Sequence, residues 1–183
     1  LSAFYFDIRK DTLYCEPKNS DKRKSTLLIL NIILNSLLKW FAPILSFTTE
    51  EIYQLISKSK KSIHLQKFIN FPKKFHNVKL GERWSKLINI RNFCNLSIEE
   101  KRASKEIGSS LESSLEITLN EELFKIFKDV DFAEICITSS AKINEGSKKE
   151  IEVLTTKASG KKCPMCWKIS KEGCRRPNCN IQQ

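Results

Sequence analysis

Glycine, proline and methionine are scarce in this sequence. Its 183 residues include five Gly, five Pro and one Met, which is Met165. So few glycines and prolines argue against long flexible linkers and low-complexity tracts, and no internal repeat is visible. The sequence starts at Leu1 without a charged, then apolar, then small-residue leader, so no secretory signal is expected. We expect the stretch to be a piece of a longer protein.

Long uncharged apolar runs are missing as well. The closest candidate, residues 27–41, is interrupted by Asn31, Asn35, Ser36 and Lys39, whereas a spanning helix needs about 18 or more such residues. A membrane protein or membrane partner is therefore not expected. The 40% of apolar residues suffice to bury a core, which excludes disorder throughout.

Positive charge exceeds negative charge. The chain has 32 Lys+Arg against 21 Asp+Glu, a net charge of +11, and such an excess predicts an acidic partner without determining the fold. Compositional bias towards Lys, Ile and Asn explains part of it. Several lysines can neutralise phosphates regardless of sequence, among them Lys39, Lys58, Lys60, Lys61, Lys73 and Lys74.

The seven cysteines fall into two groups. Cys15, Cys94 and Cys136 are scattered in apolar surroundings and are expected in the core, whereas the other four crowd into residues 163–179. This usage is typical of a reducing compartment and predicts a cytoplasmic protein.

Helical periodicity dominates the first two thirds of the chain. Residues 27–41 predict a central core helix that is buried on most sides and ends before Pro43. A second helix is expected near residue 48, with Thr48 as its cap and Glu51 completing a capping box. A long helix over about 82–106 should follow, with Gly108 as its stop.

The period changes beyond residue 112. Leu115–Leu119, Phe132–Thr138 and Glu150–Thr155 are predicted as strands, with one or two helical turns at Glu121–Phe127. The predicted fold class is mainly α, with a helical domain over 1–112, a small α/β unit over 113–158 and a cysteine knuckle over 159–183.

The strongest chemical signal is the pair Cys163 and Cys166, followed after seven residues by Cys174 and Cys179. Two thiolate pairs at such spacings suit one tetrahedral, structural zinc ion, and zinc binding would supply the folding energy that so short a stretch cannot obtain from a core. A redox Cys-x-x-Cys pair is an alternative, although a second pair would be superfluous for it. Disulfides are a further alternative.

Cations and one aromatic ring surround these cysteines. Trp167, Lys168, Arg175 and Arg176 could contact RNA, because arginine binds phosphate through two parallel hydrogen bonds and tryptophan stacks on an unpaired base. The alternative is a solvated basic face with Trp167 packed beneath it.

No catalytic constellation is apparent. The sequence has neither a glycine-rich phosphate loop after a strand nor a Ser/His/acid set. We expect no catalytic residues and no chemistry from this chain alone.

Four stretches of the sequence, residues 1–15, 40–52, 91–112 and 162–167, resemble bacterial isoleucyl-tRNA synthetase, a class I aminoacyl-tRNA synthetase. Leu1–Cys15 and the segment from Trp40 to Ile52, with its Ala-Pro-Ile-Leu-Ser-Phe-Thr-x-Glu-Glu pattern, are similar to the family's anticodon-binding helical domain. Arg91–Glu112 is similar to its helix ending in Ile-Gly-x-Ser-Leu-Glu, and Lys162–Trp167 to the start of its carboxy-terminal zinc knuckle. The Cys-x-x-Cys-Trp ending distinguishes this family from its valyl, leucyl and methionyl relatives.

The resemblance implies a ligase that attaches isoleucine to its tRNA with ATP. This carboxy-terminal part would bind the anticodon arm, with tRNA and its own upstream catalytic domain as partners and DNA as none. ATP would bind only in that upstream domain, since the family's His-x-Gly-His and Lys-Met-Ser-Lys-Ser motifs do not occur here. The tRNA-binding candidates are Arg91, Arg102, Lys105, Trp167, Lys168, Arg175 and Arg176.

One feature departs from the family pattern. Cys174 and Cys179 enclose four residues, where the family usually has two, so the knuckle is either compressed or altered. Two other hypotheses stay open at this point: a free-standing, zinc-stabilised RNA-binding module, and a protein–protein module whose basic surface is compositional.

Overall fold

The computed structural model describes residues 2–57, 61–146, 151–174, 176 and 179. The chain forms two compact units, one made of residues 1–17 and 78–183 and the other of residues 18–77. Lys58, Lys60 and Arg175, which carry sequence-based predictions, lie outside the described residues.

The first unit is built around a long helix, α4, at Val78–Ala103. Its Leu87, Ile90, Cys94 and Ile98 recur every three or four residues and are at most 5% exposed. This spacing places them on one face of the helix, and that face packs against the sheet of the unit.

The sheet has strand order β2-β1-β3. The central strand β1 (Ser113–Asn120) pairs in parallel with β2 (Ser140–Gly146) and antiparallel with β3 (Glu152–Lys157). Leu115, Ile117 and Leu119 alternate along β1 and are fully buried, as expected where one face of a strand meets the core. Two short helices connect β1 to β2: α5 (Glu121–Phe127) and α6 (Phe132–Ile135).

The amino-terminal helix also belongs to this unit. A single π-helical stretch, Ser2–Phe6, leads into α1 at Asp7–Cys15. Phe4 lies edge-on to Trp84 of α4, with ring centroids 6.1 Å apart, and the side chain of Arg9 pairs with Glu134 of α6 at 2.8 Å. Two short strands, β4 (Lys161–Lys162) and β5 (Ile169–Ser170), form the base of the cysteine knuckle.

The second unit contains two helices, α2 (Asp21–Phe41) and α3 (Ser46–Ile56). Ser20 caps α2 by accepting a hydrogen bond from the backbone N–H of Arg23 at 3.2 Å. A small core of Leu38, Ala42, Tyr53 and Ile63 joins these helices to a 3-10 turn at Ile63–Leu65.

Helix α2 is less buried than its sequence predicts. Only Thr26, Ser36 and Leu38 are buried in it, while Leu28 and Trp40 are 60% and 52% exposed. The prediction of a helix buried on most sides was wrong: among the described residues of this unit, the main contacts of α2 are with α3 and the following 3-10 turn.

Two helix ends differ from the predictions. α3 begins at Ser46 without a side-chain cap, and the buried Thr49, rather than Thr48, bonds back to the carbonyl of Leu45 at 2.9 Å. Beyond α4 the left-handed residue is Lys105, with φ of 60°, rather than Gly108, because the N–H of Glu106 already closes the turn onto Lys101 at 3.1 Å.

The small α/β unit is partly as predicted. The segment predicted as a strand at 132–138 holds helix α6 instead, because Asp131 caps the backbone N–H of Glu134 at 3.1 Å. β2 was not predicted, whereas β1, α5 and β3 were; Glu150 lies outside the described residues. The mainly α fold class with a small α/β part is confirmed. The boundaries at 112 and 158 stay predictions.

Candidate functional site

The four clustered cysteines converge in the first unit. The Sγ atoms of Cys163, Cys166, Cys174 and Cys179 all lie within 4.8 Å of one another, and those of Cys166 and Cys174 are 3.7 Å apart. The four residues between Cys174 and Cys179 therefore do not keep the second pair out of the cluster. Four sulfur donors at these distances could hold one metal ion.

A tight backbone turn presents the first pair. The N–H of Cys163 donates to the carbonyl of Lys168 at 2.9 Å, and the N–H of Trp167 donates to the carbonyl of Cys163 at 3.0 Å. This turn places Trp167 in the left-handed region, with φ of 62°, where a residue with a side chain is strained. Gly160 lets the strands of the knuckle approach, since a Cβ there would overlap the backbone of Ser170.

Burial and backbone N–H donors shift the pKa values of these thiols in opposite directions. Burial, with neighbouring thiols, raises the pKa of Cys166 to about 11, and burial raises the pKa of Cys179. Burial acts in the same direction on Cys163, but the N–H groups of Cys166 and Met165 outweigh it and lower its pKa to about 7. A bound cation would favour the thiolate form of all four and release their protons.

The knuckle presents an exposed ring beside cations. The side chain of Trp167 is 60% exposed, so it is not packed beneath a basic face. The Nζ of Lys162 lies 5.9 Å from the centroid of that ring, and Lys168 is half-buried next to it. This combination can stack on an unpaired base and attract its phosphate.

The other predicted RNA-binding residues lie in different settings. Arg102 and Lys105 line one depression after the end of α4, where Arg102 forms an exposed ion pair with Glu99 at 2.7 Å. Arg91 instead packs inwards, because it donates to the carbonyl of Ile135 at 3.0 Å and lies over the ring of Phe4.

Arg176 is held by helix α1. Its guanidinium donates two hydrogen bonds of 2.6 Å to the carboxylate of Asp11. Although burial opposes ionisation of Asp11, the guanidinium outweighs it and holds the pKa of that carboxyl below its ordinary value. The sequence reasoning missed Asp11, because 165 positions separate it from Arg176; the only local signal is that Asp11 and Cys15 are one helical turn apart.

Comparison with known proteins finds relatives over most of the chain. A family model described as the anticodon-binding domain of tRNA ligase matches residues 1–119. The isoleucine–tRNA ligase of Pelagibacter ubique is 62% identical over 176 residues, which are 96% of this chain and 19% of that protein. Those of Bradyrhizobium diazoefficiens and Bartonella henselae are 40% and 38% identical, over 93% and 94% of this chain and 18% and 19% of theirs.

The chain thus spans about a fifth of the length of these relatives. The resemblance inferred from the sequence motifs is confirmed. Among the helices described here, none combines the length and hydropathy that a membrane crossing requires. The chain belongs to the family of the anticodon-binding domain of tRNA ligases, among relatives that are isoleucine–tRNA ligases.

Proposed function

We propose that this chain is the tRNA-binding carboxy-terminal region of a cytoplasmic isoleucine–tRNA ligase. Its upstream part would use ATP to attach isoleucine to tRNA, while these residues would hold the anticodon arm. The observation that carries the proposal is the match of residues 1–119 to an anticodon-binding domain, continued over 96% of the chain by a ligase that is 62% identical. The net charge of +11 suits a polyanionic partner.

The proposal includes one structural zinc ion on the four clustered cysteines. With Zn–S bonds of about 2.3 Å, tetrahedral geometry separates the sulfurs by roughly 3.8 Å, and the 3.7 Å between Cys166 and Cys174 supports this assignment. Four thiolates leave no open position for a substrate, so the ion would hold the knuckle together without taking part in chemistry. The seven cysteines, all free thiols, support a reducing, cytoplasmic location.

The proposed RNA surface has two parts. Trp167 would stack on a base splayed from the anticodon loop, with Lys162 and Lys168 near its phosphate. Arg102 and Lys105 would contact phosphates elsewhere; the ion pair of Arg102 with Glu99 is exposed and therefore weak enough to exchange. Arg176 and Arg91 are left out, because the Asp11 carboxylate holds the guanidinium of Arg176 and the carbonyl of Ile135 and the ring of Phe4 hold that of Arg91.

The direct test is tRNA binding by the purified 183-residue chain. We expect an isoleucine tRNA to bind more tightly than a tRNA with another anticodon, with affinity falling steeply as salt rises. Trp167→Ala should reduce the preference between the tRNAs, whereas Lys168→Gln should weaken both similarly. Equal affinity for both tRNAs would contradict anticodon binding.

The activity of the whole protein needs a separate experiment. The complete gene product should charge isoleucine tRNA in the presence of ATP, and the 183-residue chain should not. Charging by the chain alone, or an upstream reading frame without the adenylate-forming motifs, would refute the proposed division of labour.

A further inference from the structure

Helix α1 holds the cysteine knuckle at both of its halves. Asp11 binds Arg176, which lies between the third and fourth cysteines, through two hydrogen bonds of 2.6 Å, and the two side chains are 25% and 23% exposed. One turn further along, Cys15 is 6% exposed and packs among the clustered sulfurs. Its thiol faces the carbonyl of Met165, between the first and second cysteines, at 4.0 Å.

The helix that holds the knuckle is itself anchored. Arg9, two residues before Asp11, forms an ion pair with Glu134 of α6 at 2.8 Å, and Glu134 is only 14% exposed in its side chain. A second attachment reaches the knuckle from the α/β core: Ser139 accepts a hydrogen bond from the N–H of Ile169 at 2.7 Å and donates to the carbonyl of Leu111. Among its described residues, the knuckle thus has two separate attachments, to α1 and to the core.

We propose that Asp11 is a positioning residue for RNA recognition: through Arg176 it fixes the knuckle on α1 and thereby sets the direction in which Trp167 is presented. The inference rests on the proposed function. A cavity of about 450 Å³ lies between α1 and the knuckle and is lined by Tyr14, Met165, Trp167 and Lys168. Any rotation of the knuckle would change the position of the indole relative to this cavity and to α1.

A change of charge at Asp11 and a positioning role for Asp11 predict opposite changes in RNA affinity. Asp11→Asn removes a negative charge and raises the net charge from +11 by one, so electrostatics alone would strengthen RNA binding. A positioning role predicts weaker binding instead, because the ring would be misplaced. Asp129→Asn is the matched control, since Asp129 is exposed in the same unit and its replacement changes the net charge equally.

The experiment compares three properties of the full chain: bound zinc, the position of Trp167, and affinity for isoleucine tRNA. The three tryptophans are replaced by fluorotryptophan, and the fluorine resonance of Trp167 is assigned with Trp167→Phe. For Asp11→Asn we expect zinc to be retained, the Trp167 resonance to shift or broaden, and affinity to fall about five- to tenfold, the scale of one charge-assisted contact. Asp129→Asn should bind as tightly as the original chain or slightly more tightly.

A charge exchange provides the rescue. The double variant Asp11→Arg, Arg176→Asp restores an ion pair of opposite orientation and should recover the Trp167 resonance and most of the affinity. Arg176→Lys keeps the charge but cannot donate two parallel hydrogen bonds, so it should fall between the original chain and Asp11→Asn. This series keeps the test decisive even if one single variant folds poorly.

Three results would overturn the inference. The first is tRNA binding by Asp11→Asn that is unchanged or tighter, together with an unchanged Trp167 resonance. The second is loss of zinc from Asp11→Asn, because Asp11 would then support the metal site itself. The third is that the charge-exchange variant recovers neither the resonance nor the affinity. Failure of the proposed function is recognised separately, because the original chain would then bind both tRNAs equally while the fluorine spectra still report on the docking.

Discussion

The α/β core and the cysteine knuckle of the first unit are stabilised in different ways. The core buries Ile90, Leu115 and Phe127 completely, and each buried side chain contributes about 1.5–3 kcal/mol through removal of apolar surface from water. The knuckle buries sulfur instead, and its attachments are an ion pair and single hydrogen bonds.

Folding and the proposed RNA binding are therefore expected to depend on different conditions. Apolar burial depends little on metal ions, whereas a site of four thiolates needs both deprotonation and a cation. The exposed Trp167 lies on the part that would depend on the proposed metal ion, so the proposed RNA binding should be more sensitive to chelation and oxidation than the fold is. Variants in each of the two regions test this separation.

The largest effect is expected from removing metal ligands. The double variant Cys163→Ser, Cys166→Ser should lose its zinc and unfold the knuckle, because apparent zinc-binding energies of about 10–16 kcal/mol are typical of such sites. Metal analysis and tryptic cleavage within 161–171 measure this outcome, while helical circular dichroism should persist. Cys94→Ala, which removes a buried core thiol, is the control. Equal zinc in both variants would refute the site.

A cavity in the core should have the opposite effect to loss of the metal ligands: it should lower the stability of the core and leave zinc binding intact. Phe127 is 0% exposed and lies edge-on to Phe132 with centroids 6.5 Å apart. Phe127→Ala should lower the free energy of unfolding of this unit by about 3–5 kcal/mol without changing zinc content. Phe47→Ala, at a side chain that is 92% exposed, should change denaturant stability by less than about 0.5 kcal/mol. A loss of zinc at Phe127→Ala would show that the two regions are not separable.

Trp167 allows strain and recognition to be measured at one residue. Trp167→Gly should weaken tRNA binding by about 1–3 kcal/mol, the contribution of one stacked base. It should also retain metal better than Trp167→Ala, because glycine adopts the left-handed φ of 62° without strain. Chelator competition measures the second effect. Identical retention by the Gly and Ala variants would show that the turn is not strained.

The smallest effect concerns a polar attachment in the second unit. Glu50 accepts hydrogen bonds from Gln54 and from the backbone of Ile63, at 2.7 and 2.8 Å, and these lower its pKa below the ordinary value of 4.5, with Gln54 as the larger cause. At pH values above the ordinary pKa, a carboxyl with a lowered pKa stabilises the folded state. This stabilisation is lost as the pH falls through the folded-state pKa. When thermal unfolding is measured between about pH 6 and pH 3, Glu50→Gln should lose less stability on acidification than the original chain does.

Sequence reasoning predicted the parts of this molecule that depend on local pattern. The buried face of α4 follows from its three- and four-residue spacing, and the convergence of the four clustered cysteines follows from their spacing in the sequence. It failed where distant contacts decide: α2 has an apolar sequence but few covering partners here. The Asp11–Arg176 pair likewise has no local signature, although both residues are visible in the sequence.

The same pair has a consequence for the order in which the protein matures during synthesis. Asp11 leaves the ribosome 165 residues before Arg176, and at about 5–20 residues per second this separation corresponds to roughly 8–33 seconds of translation. Throughout that interval Asp11 has been synthesised and Arg176 has not, so the ion pair cannot form. The cysteine knuckle is likewise incomplete and cannot yet bind metal. Among the described elements the knuckle follows the sheet in the sequence, so the surface proposed to contact tRNA is completed only after the strands of the α/β core have been synthesised.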